Sequence, residues 1–154
     1  MHLSPRILVA LAAWAVAPVM NALPVDTSPA PADLIVKTLQ DRADHCDGTT
    51  WEDQTSLGSP VVSDCLTLAD RLGEYTWFIP SGQKQIAQWG TCAFGVTSLD
   101  PIITTPRIGN DNVRDLIRGA VQRFQWNSRV GAKGVTSCQW NAGWTPIEWG
   151  LYHD

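Results

Sequence analysis

Four cysteines are the side chains of this sequence with the clearest chemical consequence: Cys46, Cys65, Cys92 and Cys138. Four thiols could form two disulfides or bind a metal. No two of them form a Cys-x-x-Cys pair, and His45 and His153 are far apart in sequence, which makes zinc the weaker interpretation. An even number of cysteines in an exported chain is typical of disulfides. We therefore expect two bridges, no metal and no cofactor.

Histidines and carboxylates are the other side chains that could catalyse a reaction. His45 and His153 could form an acid–base pair of the ribonuclease type, although terminal histidines are usually solvated. Two facing carboxylates could hydrolyse a glycoside; the candidates are Glu52, Asp53, Asp64, Asp70, Glu74 and Glu148. A helix cap explains Asp64 better, and an outward-facing strand position explains Glu148. We expect no catalytic residue and no enzyme activity. A small secreted hydrolase is the third hypothesis for the function, after the two non-enzymatic functions considered below.

Tryptophan is unusually frequent, and seven of these residues follow the first 22 positions: Trp51, Trp77, Trp89, Trp126, Trp140, Trp144 and Trp149. Core packing is the simplest interpretation, and we expect Trp51, Trp77 and Trp149 to be mostly buried. Trp140 and Trp144 flank the predicted turn NAGWT, where exposed side chains often bind ligands. An exposed indole offers a flat apolar face to a sugar ring. These two tryptophans favour one hypothesis for the function, a secreted carbohydrate-binding module, for example for chitin. It is the alternative to the function that the family resemblance below implies.

Basic side chains form a second candidate binding surface. Arg114, Arg118 and Arg123 lie on the polar side of a predicted helix, and Lys133 follows in the next turn. Such a set is usually a solvated face. In a toxin, Arg118, Arg123 and Lys133 could instead contact an acidic receptor, a channel mouth or a lipid headgroup.

Helical spacing of apolar residues predicts two helices that would position these side chains. CLTLADRL (65–72) is the first, with Ser63 or Asp64 as its N-cap and Gly73 ending it in the αL conformation. GNDNVRDLIRGAVQRFQW (109–126) is the second, with Asn110 or Asp111 as its N-cap. Its predicted buried face consists of Val113, Leu116, Ile117, Ala120, Val121 and Phe124.

Five segments are predicted to be strands: GTTWED, YTWFIP, WGTCAFGVT, RVGAKGVTSCQW and PIEWGLYH. SGQKQIAQ connects the second to the third, and NAGWT is the turn between the last two. The order β-α-β-β-α-β-β predicts an α+β fold, in which an antiparallel sheet is covered by two helices in a split βαβ or ferredoxin-like sandwich.

This topology favours one of the three possible disulfide pairings. If the first strand runs upward, Cys46 and Cys138 lie at the bottom of the sheet, whereas Cys65 and Cys92 lie at the top. Proximity therefore favours Cys46–Cys138 and Cys65–Cys92. On the chain-entropy model the two bridges contribute about 4 to 5 and about 3 kcal/mol.

The first 22 residues have the pattern of a secretory signal peptide. Arg6 precedes an unbroken apolar run from Ile7 to Ala17, and small residues lead to a cleavage site near Ala22. The run is shorter than the about 20 residues that span a bilayer, so we expect a secreted, extracellular protein that does not span a membrane.

The remaining chain divides into a leader arm rich in Pro, Ala and Asp (23–43) and one domain (44–154). The net charge of −4 becomes about −5 when Arg6 is removed with the signal peptide, which provides no overall positive field for nucleic acid.

The cysteine spacing and its surroundings resemble a known family. The segments that carry the resemblance are GTTW after Cys46, SDC, GTCAFGV, IGNDNVRDLIRGAV, VGAKGVTSC and EWGLYH. Together they are similar to the fungal Ecp-two effector family, also described as necrosis-inducing factors. The resemblance implies a virulence protein that is exported by a filamentous fungus, binds an unknown host or competitor target (a protein, a membrane component or a wall glycan) and can provoke necrosis.

The same resemblance gives little information about the biochemical activity of the protein. Members of the family look distantly like virally encoded fungal killer toxins with an α/β sandwich, and in some fungi the module accompanies chitinase domains. The cysteine framework carries over to this chain, and no catalytic residue does. Because fold alone does not define function, the target stays open.

Overall fold

The computed structural model describes residues 44–79, 81–100 and 105–154. The predicted signal peptide (1–22) and leader arm (23–43) lie outside the described residues. The described elements, in chain order, are β1 (Cys46–Thr49), β2 (Glu52–Asp53), α1 (Val62–Arg71), β3 (Thr76–Phe78), β4 (Gln83–Trp89), β5 (Cys92–Ser98), β6 (Arg107–Gly109), α2 (Asn110–Phe124), β7 (Ala132–Trp140) and β8 (Gly143–His153).

The main sheet has the strand order β1-β7-β8-β5-β4, and β2 also pairs with β7. All of these pairings are antiparallel. Because β5 and β7 are both antiparallel to β8, they are parallel to each other, and α2 connects them. The segment β5-α2-β7 is therefore a split βαβ unit with β8 inserted between its strands. The predicted α+β class, an antiparallel sheet with two helices, is confirmed.

The core lies between one face of this sheet and the two helices. On β8 the buried side chains alternate as a strand requires: Thr145, Ile147, Trp149 and Leu151. Trp149 is 1% exposed, stacks on Phe94 with ring centroids 6.1 Å apart, and meets the edge of Trp51 at 5.2 Å. We call this side of the sheet the inner face. The opposite side, the outer face, carries no helix of the described residues.

The predicted buried face of α2 is largely confirmed, since every residue of it except Phe124, which is half-buried, is fully buried. The predicted caps are wrong. Gly109 occupies the N-cap position, and Asn112 Oδ1 accepts a hydrogen bond from its N–H at 3.3 Å. Asn110 and Asp111 are helical residues, and Asn110 is buried.

The predicted ends of α1 are also wrong. The helix has Val61 at its N-cap with no side-chain cap, and Ser63 and Asp64 lie inside the first turn. It ends because Leu72 is extended, with φ −65° and ψ 113°. Gly73 does not have the positive φ of an αL cap. Contacts from other elements replace local capping at both ends of α1.

The segment SGQKQIAQ, predicted to be a connection, contains most of strand β4, so this prediction is wrong. Of the seven residues of β4, Ile86 alone is fully buried, because the strand lies at the edge of the sheet. A mostly polar edge strand lacks the alternation of apolar and polar residues by which a strand is recognised in a sequence. Trp89 closes the β4–β5 hairpin opposite Cys92, and Gly90 makes the turn with φ 55°.

The segment YTWFIP contains β3, which belongs to a separate two-stranded sheet with β6. Trp77 of β3 lies opposite Ile108 of β6. Strand β6 was not predicted, because three residues before a helix are too few to show a period of two.

The predicted turn NAGWT is shorter than expected. Its turn consists of residues 141–142, and β8 already begins at Gly143. Trp144 is therefore a strand residue.

Candidate functional site

The cysteines form the two predicted bridges, Cys46–Cys138 and Cys65–Cys92, with Cα–Cα distances of 4.0 and 5.1 Å. The topological argument for this pairing is confirmed. Cys65, Cys92 and Cys138 are fully buried, so the sulfur atoms are structural. Among the described residues no group of three or more His, Cys, Asp or Glu side chains is placed to hold a metal.

His45 and His153 lie at opposite ends of the sheet and do not form a catalytic pair. The His45 carbonyl accepts from the Gln139 N–H near the start of β8, whereas His153 ends β8 opposite Cys92. Strand β8 has 11 residues, which at about 3.3 Å per residue span about 33 Å. The His45 ring is instead within 3.0 Å of Thr76 Oγ1.

Several of the candidate carboxylates are engaged in structural contacts. Asp64 is not a cap but accepts hydrogen bonds from Thr91 N and Oγ1, both at 2.8 Å, and these bonds lower its pKa. Asp70 pairs with Arg118, and Glu52 with Lys133. Glu148 is exposed, as predicted, and its carboxylate makes no hydrogen bond or ion pair within the described residues.

The candidate basic residues all have contacts within the chain. Arg118 Nη2 lies 2.7 Å from Asp70, and Lys133 Nζ lies 3.4 Å from Glu52. The Arg123 guanidinium lies over the Trp51 ring, 4.4 Å from its centroid. Contact with an acidic target through these side chains stays a prediction, and it would have to compete with these partners.

The buried and exposed tryptophan side chains are not all the ones that were predicted. Trp149 is buried as expected, but Trp51 and Trp77 are only half-buried. Trp144 is 53% exposed. It pairs with Gln139, and since neighbouring strand residues point to opposite faces, Trp140 points away from Trp144. The two predicted binding tryptophans therefore do not share a surface.

Trp144 begins a row of outward positions along β8 that continues through Pro146, Glu148, Gly150 and Tyr152. An exposed indole, a carboxylate and a tyrosine thus lie along one strand of the outer face. The sequence pointed to Trp144 and to the orientation of Glu148. The contribution of Tyr152 was missed, although its place in the PIEWGLYH alternation was the available signal.

A cavity of about 270 Å³ crosses this row. We call it the notch. Glu148 and Tyr152 border it along β8, and Gly150 lies between them. Lys133 lines it from the adjacent strand β7, and Gln83 from β4, beyond β5. Gly150 pairs with Lys133 on one side and with Gly95 on the other. The missing side chain at Gly150 is what opens the depression.

Tyr152 is held in place at the border of the notch. Its ring lies so close over Gly95 that a Cβ there would approach the tyrosine hydroxyl oxygen to 2.7 Å. The hydroxyl donates to Gln85 Oε1 at 3.1 Å. Desolvation raises the pKa of Tyr152, so the phenol is neutral at physiological pH.

The described residues therefore define a disulfide-bridged α+β domain with one helix-covered face and one open face. Residues 45–138 match the family of pathogen effectors described as necrosis-inducing factors (Hce2). The chain belongs to this family, as its sequence resemblance predicted. No helix among the described residues is long and apolar enough to cross a membrane.

Two curated relatives come from Penicillium expansum. The chain is 40% identical over 112 residues to a protein named "Probable chitinase LysM18". The aligned region covers 70% of this chain and 8% of that protein. The chain is 28% identical over 116 residues to "Secreted chitinase LysM12", covering 68% of this chain and 7% of that protein. The chain thus spans less than a tenth of the length of either relative.

Proposed function

We propose that this protein is a secreted effector that acts by binding a target through the outer face of its sheet, without catalysis. The observation that carries the proposal is Trp144, an indole that is 53% exposed on a face that no described helix covers. Exposed aromatic side chains are over-represented among the residues that dominate binding energy. Membership of the pathogen-effector family supports the effector role.

Secretion is part of the same proposal. The signal-peptide pattern of residues 1–22 supports it, and so do two disulfides, which persist mainly in oxidising compartments. Expression in a fungal host followed by N-terminal sequencing of the secreted protein tests this step. A mature N-terminus near Leu23 is expected, and retention of the protein in the cell would argue against it.

The non-enzymatic part is supported by the distribution of carboxylates. Glycoside hydrolysis needs two facing carboxyl groups about 5 to 9.5 Å apart. Within the described residues, Glu148 is the carboxylate that lines the notch, and Glu52 beside it is paired with Lys133. Asp64 and Asp70 are held by Thr91 and Arg118. Release of reducing sugar from soluble chitin oligomers by the purified domain would contradict this part.

The effector role is tested by applying purified, oxidised protein to plant leaf tissue and to fungal cells. We expect death of the treated tissue, and none with the reduced and alkylated control, since the bridges maintain the binding face. An inert result with the oxidised protein on both would remove the effector proposal and favour the second candidate.

The second candidate function is a carbohydrate-binding module. The chitinase names of the two relatives favour it, because a module shared with such proteins could hold them on their polymer. Sedimentation with insoluble chitin and with cellulose tests this candidate. We expect retention on one of the two polymers, and no retention on either would exclude it.

A further inference from the structure

The notch has the dimensions and chemistry of a sugar subsite. We propose that it binds one pyranose unit of a neutral, β-linked oligosaccharide. The β linkage is that of chitin, the polymer to which the chitinase names of the two relatives refer. The inference rests on the proposed use of the outer face for target binding and specifies its ligand. It assigns the contact with this ring to Glu148, Gly150 and Tyr152, whereas Trp144 lies outside the notch on the same row and is a separate contact of the outer face.

The size of the notch indicates a small ligand or one unit of a longer one. Its volume of about 270 Å³ is just below the range of roughly 300 to 1,000 Å³ for small-molecule pockets. The notch opens onto the outer face, so adjoining sugar units can continue along the sheet. A single ring held at its centre fits this shape.

The Gly150 position is essential to the shape because it leaves the strand backbone uncovered. A Cβ there would meet Tyr152 Cδ1 at 3.6 Å, an ordinary contact, and Gly150 has no positive φ. Neither backbone conformation nor crowding therefore requires glycine here. What the glycine provides is open space between Glu148 and Tyr152.

Tyr152 supplies the apolar side of the subsite. Its ring is fixed by Gly95 beneath it and by the hydroxyl bond to Gln85, so little side-chain freedom is lost on binding. A flat aromatic surface suits the C–H face of a pyranose ring. Pre-positioning of this kind favours affinity without a closing motion.

The polar groups of the notch suit hydroxyl groups better than ions. Glu148 is a carboxylate without a side-chain partner among the described residues and accepts hydrogen bonds, whereas the amide of Gln83 and the ammonium of Lys133 donate them. Lys133 is already paired with Glu52, which leaves the charge of Glu148 uncompensated and disfavours an anionic ligand. A ligand that both donates and accepts many hydrogen bonds, such as a sugar, satisfies all three.

The test is an NMR titration of the folded, oxidised protein with two probes: a β-1,4-linked N-acetylglucosamine tetramer and a β-1,4-linked glucose tetramer. We expect one probe to shift the backbone amides of Gly95, Glu148 and Gly150. Gly150→Thr fills the notch with a β-branched residue that suits a strand, and it should weaken binding at least tenfold. Gly150→Ala should have a smaller effect.

Gly73→Ala is the matched control, since a Cβ there has no neighbour within 4 Å among the described residues, and Gly73 does not line the notch. It should bind as the wild type does, and thermal melts establish that each variant is folded. If neither tetramer shifts these amides, or if Gly150→Thr binds normally, the proposal is overturned. Shifts confined to the surroundings of Trp144 would overturn it as well.

Failure of the notch and failure of the proposed function are distinguishable. Tissue death that depends on Trp144 supports target binding by the outer face whatever the sugar titration shows. Sugar binding that depends on Gly150 supports the notch whatever the leaf assay shows.

Discussion

At the scale of single residues, close approaches between elements explain more of this fold than intrinsic preferences do. Asp64 contacts the β4–β5 turn instead of capping its own helix, and Thr91 Oγ1 in turn accepts from the Val61 N–H at 2.9 Å. The resulting chain of hydrogen bonds connects the start of α1 to that turn. No local pattern in the sequence contains this information, because residues 64 and 91 are distant in the chain.

Replacing Asp64 by Asn should give a stability difference that depends on pH. The pKa of Asp64 is lowered from its usual 3.8 by its bonds to Thr91, so its contribution is present above that value and is lost as pH falls through the folded pKa. We expect the wild type to melt at a higher temperature than Asp64→Asn at neutral pH. The gap should narrow as the pH falls below 3.8 and through the lowered pKa of Asp64, as circular dichroism melts would show. A gap independent of pH would contradict this account.

Gly134→Ala should destabilise the protein strongly. A Cβ at this position would collide with the carbonyl oxygen of Thr50 and lie 2.9 Å from Trp149 Nε1. Thr50 cannot easily retreat, because its N–H and hydroxyl both bond to Val135 at 2.9 Å. We expect a loss of about 3 kcal/mol in the free energy of unfolding in urea. The control Gly73→Ala should change it by less than about 1 kcal/mol, and equal effects of the two variants would count against the clash.

At the scale of elements, the contacts between α1 and α2 replace the missing helix caps. Arg114 of α2 donates from Nε to the Ala69 carbonyl at 3.2 Å and from Nη2 to the Leu72 carbonyl. These are carbonyl groups at the end of α1 that lack partners within their own helix. The sequence indicated α1 from its apolar spacing, but the residue that stabilises its end belongs to another helix.

Arg114→Ala should therefore cost more stability than Arg118→Ala, although both remove one arginine from α2. Loss of charged hydrogen bonds to backbone carbonyls is worth about 1.5 to 3 kcal/mol. The Arg118–Asp70 pair has side chains that are 51% and 67% exposed, and such pairs contribute about 0 to 1 kcal/mol. Chemical denaturation of both variants compares them directly, and equal losses would show that Arg114 does not cap α1.

The Cys46–Cys138 bridge attaches the edge strand β1 to β7, and its removal should be severe. It closes a loop with a sequence separation of 92, for which chain entropy predicts about 4.6 kcal/mol. Small domains have a total stability of about 5 to 15 kcal/mol. The double variant Cys46→Ala/Cys138→Ala should therefore be close to unfolding at 37 °C in a thermal melt. A change below about 1 kcal/mol would exclude a dominant role for this bridge.

At the scale of the whole molecule, long regular patterns could be predicted from the sequence and contacts between elements could not. Helix α2 was recognisable because its buried face repeats over 15 residues, and the disulfide pairing followed from the order of elements. Strands β4 and β6 lacked a signal, since one is polar and the other has three residues. The notch was not predictable either, because Glu148 and Tyr152 become a site only when Lys133 and Gln83 arrive from other strands.

The two faces of the sheet differ in role: the inner face forms the core, and the outer face carries the proposed binding site. The inner face and the helices contain the core residues around Trp149, together with the Cys65–Cys92 bridge. The outer face has no described helix on it and carries Trp144 and the notch. Truncation of an exposed outer-face side chain such as Trp144 should therefore change target binding with little effect on stability.

The most direct test of this account is the dose of purified protein that kills leaf tissue, measured for the wild type, Trp144→Ala and Trp126→Ala. Trp144 and Trp126 are 53% and 58% exposed, but Trp126 lies in a turn outside the main sheet. Truncation of a binding tryptophan typically costs at least about 2 kcal/mol, a factor of about 30. We predict that Trp144→Ala requires a dose at least tenfold higher, while Trp126→Ala acts like the wild type. Equal potency of all three folded proteins would contradict the central role of the outer face.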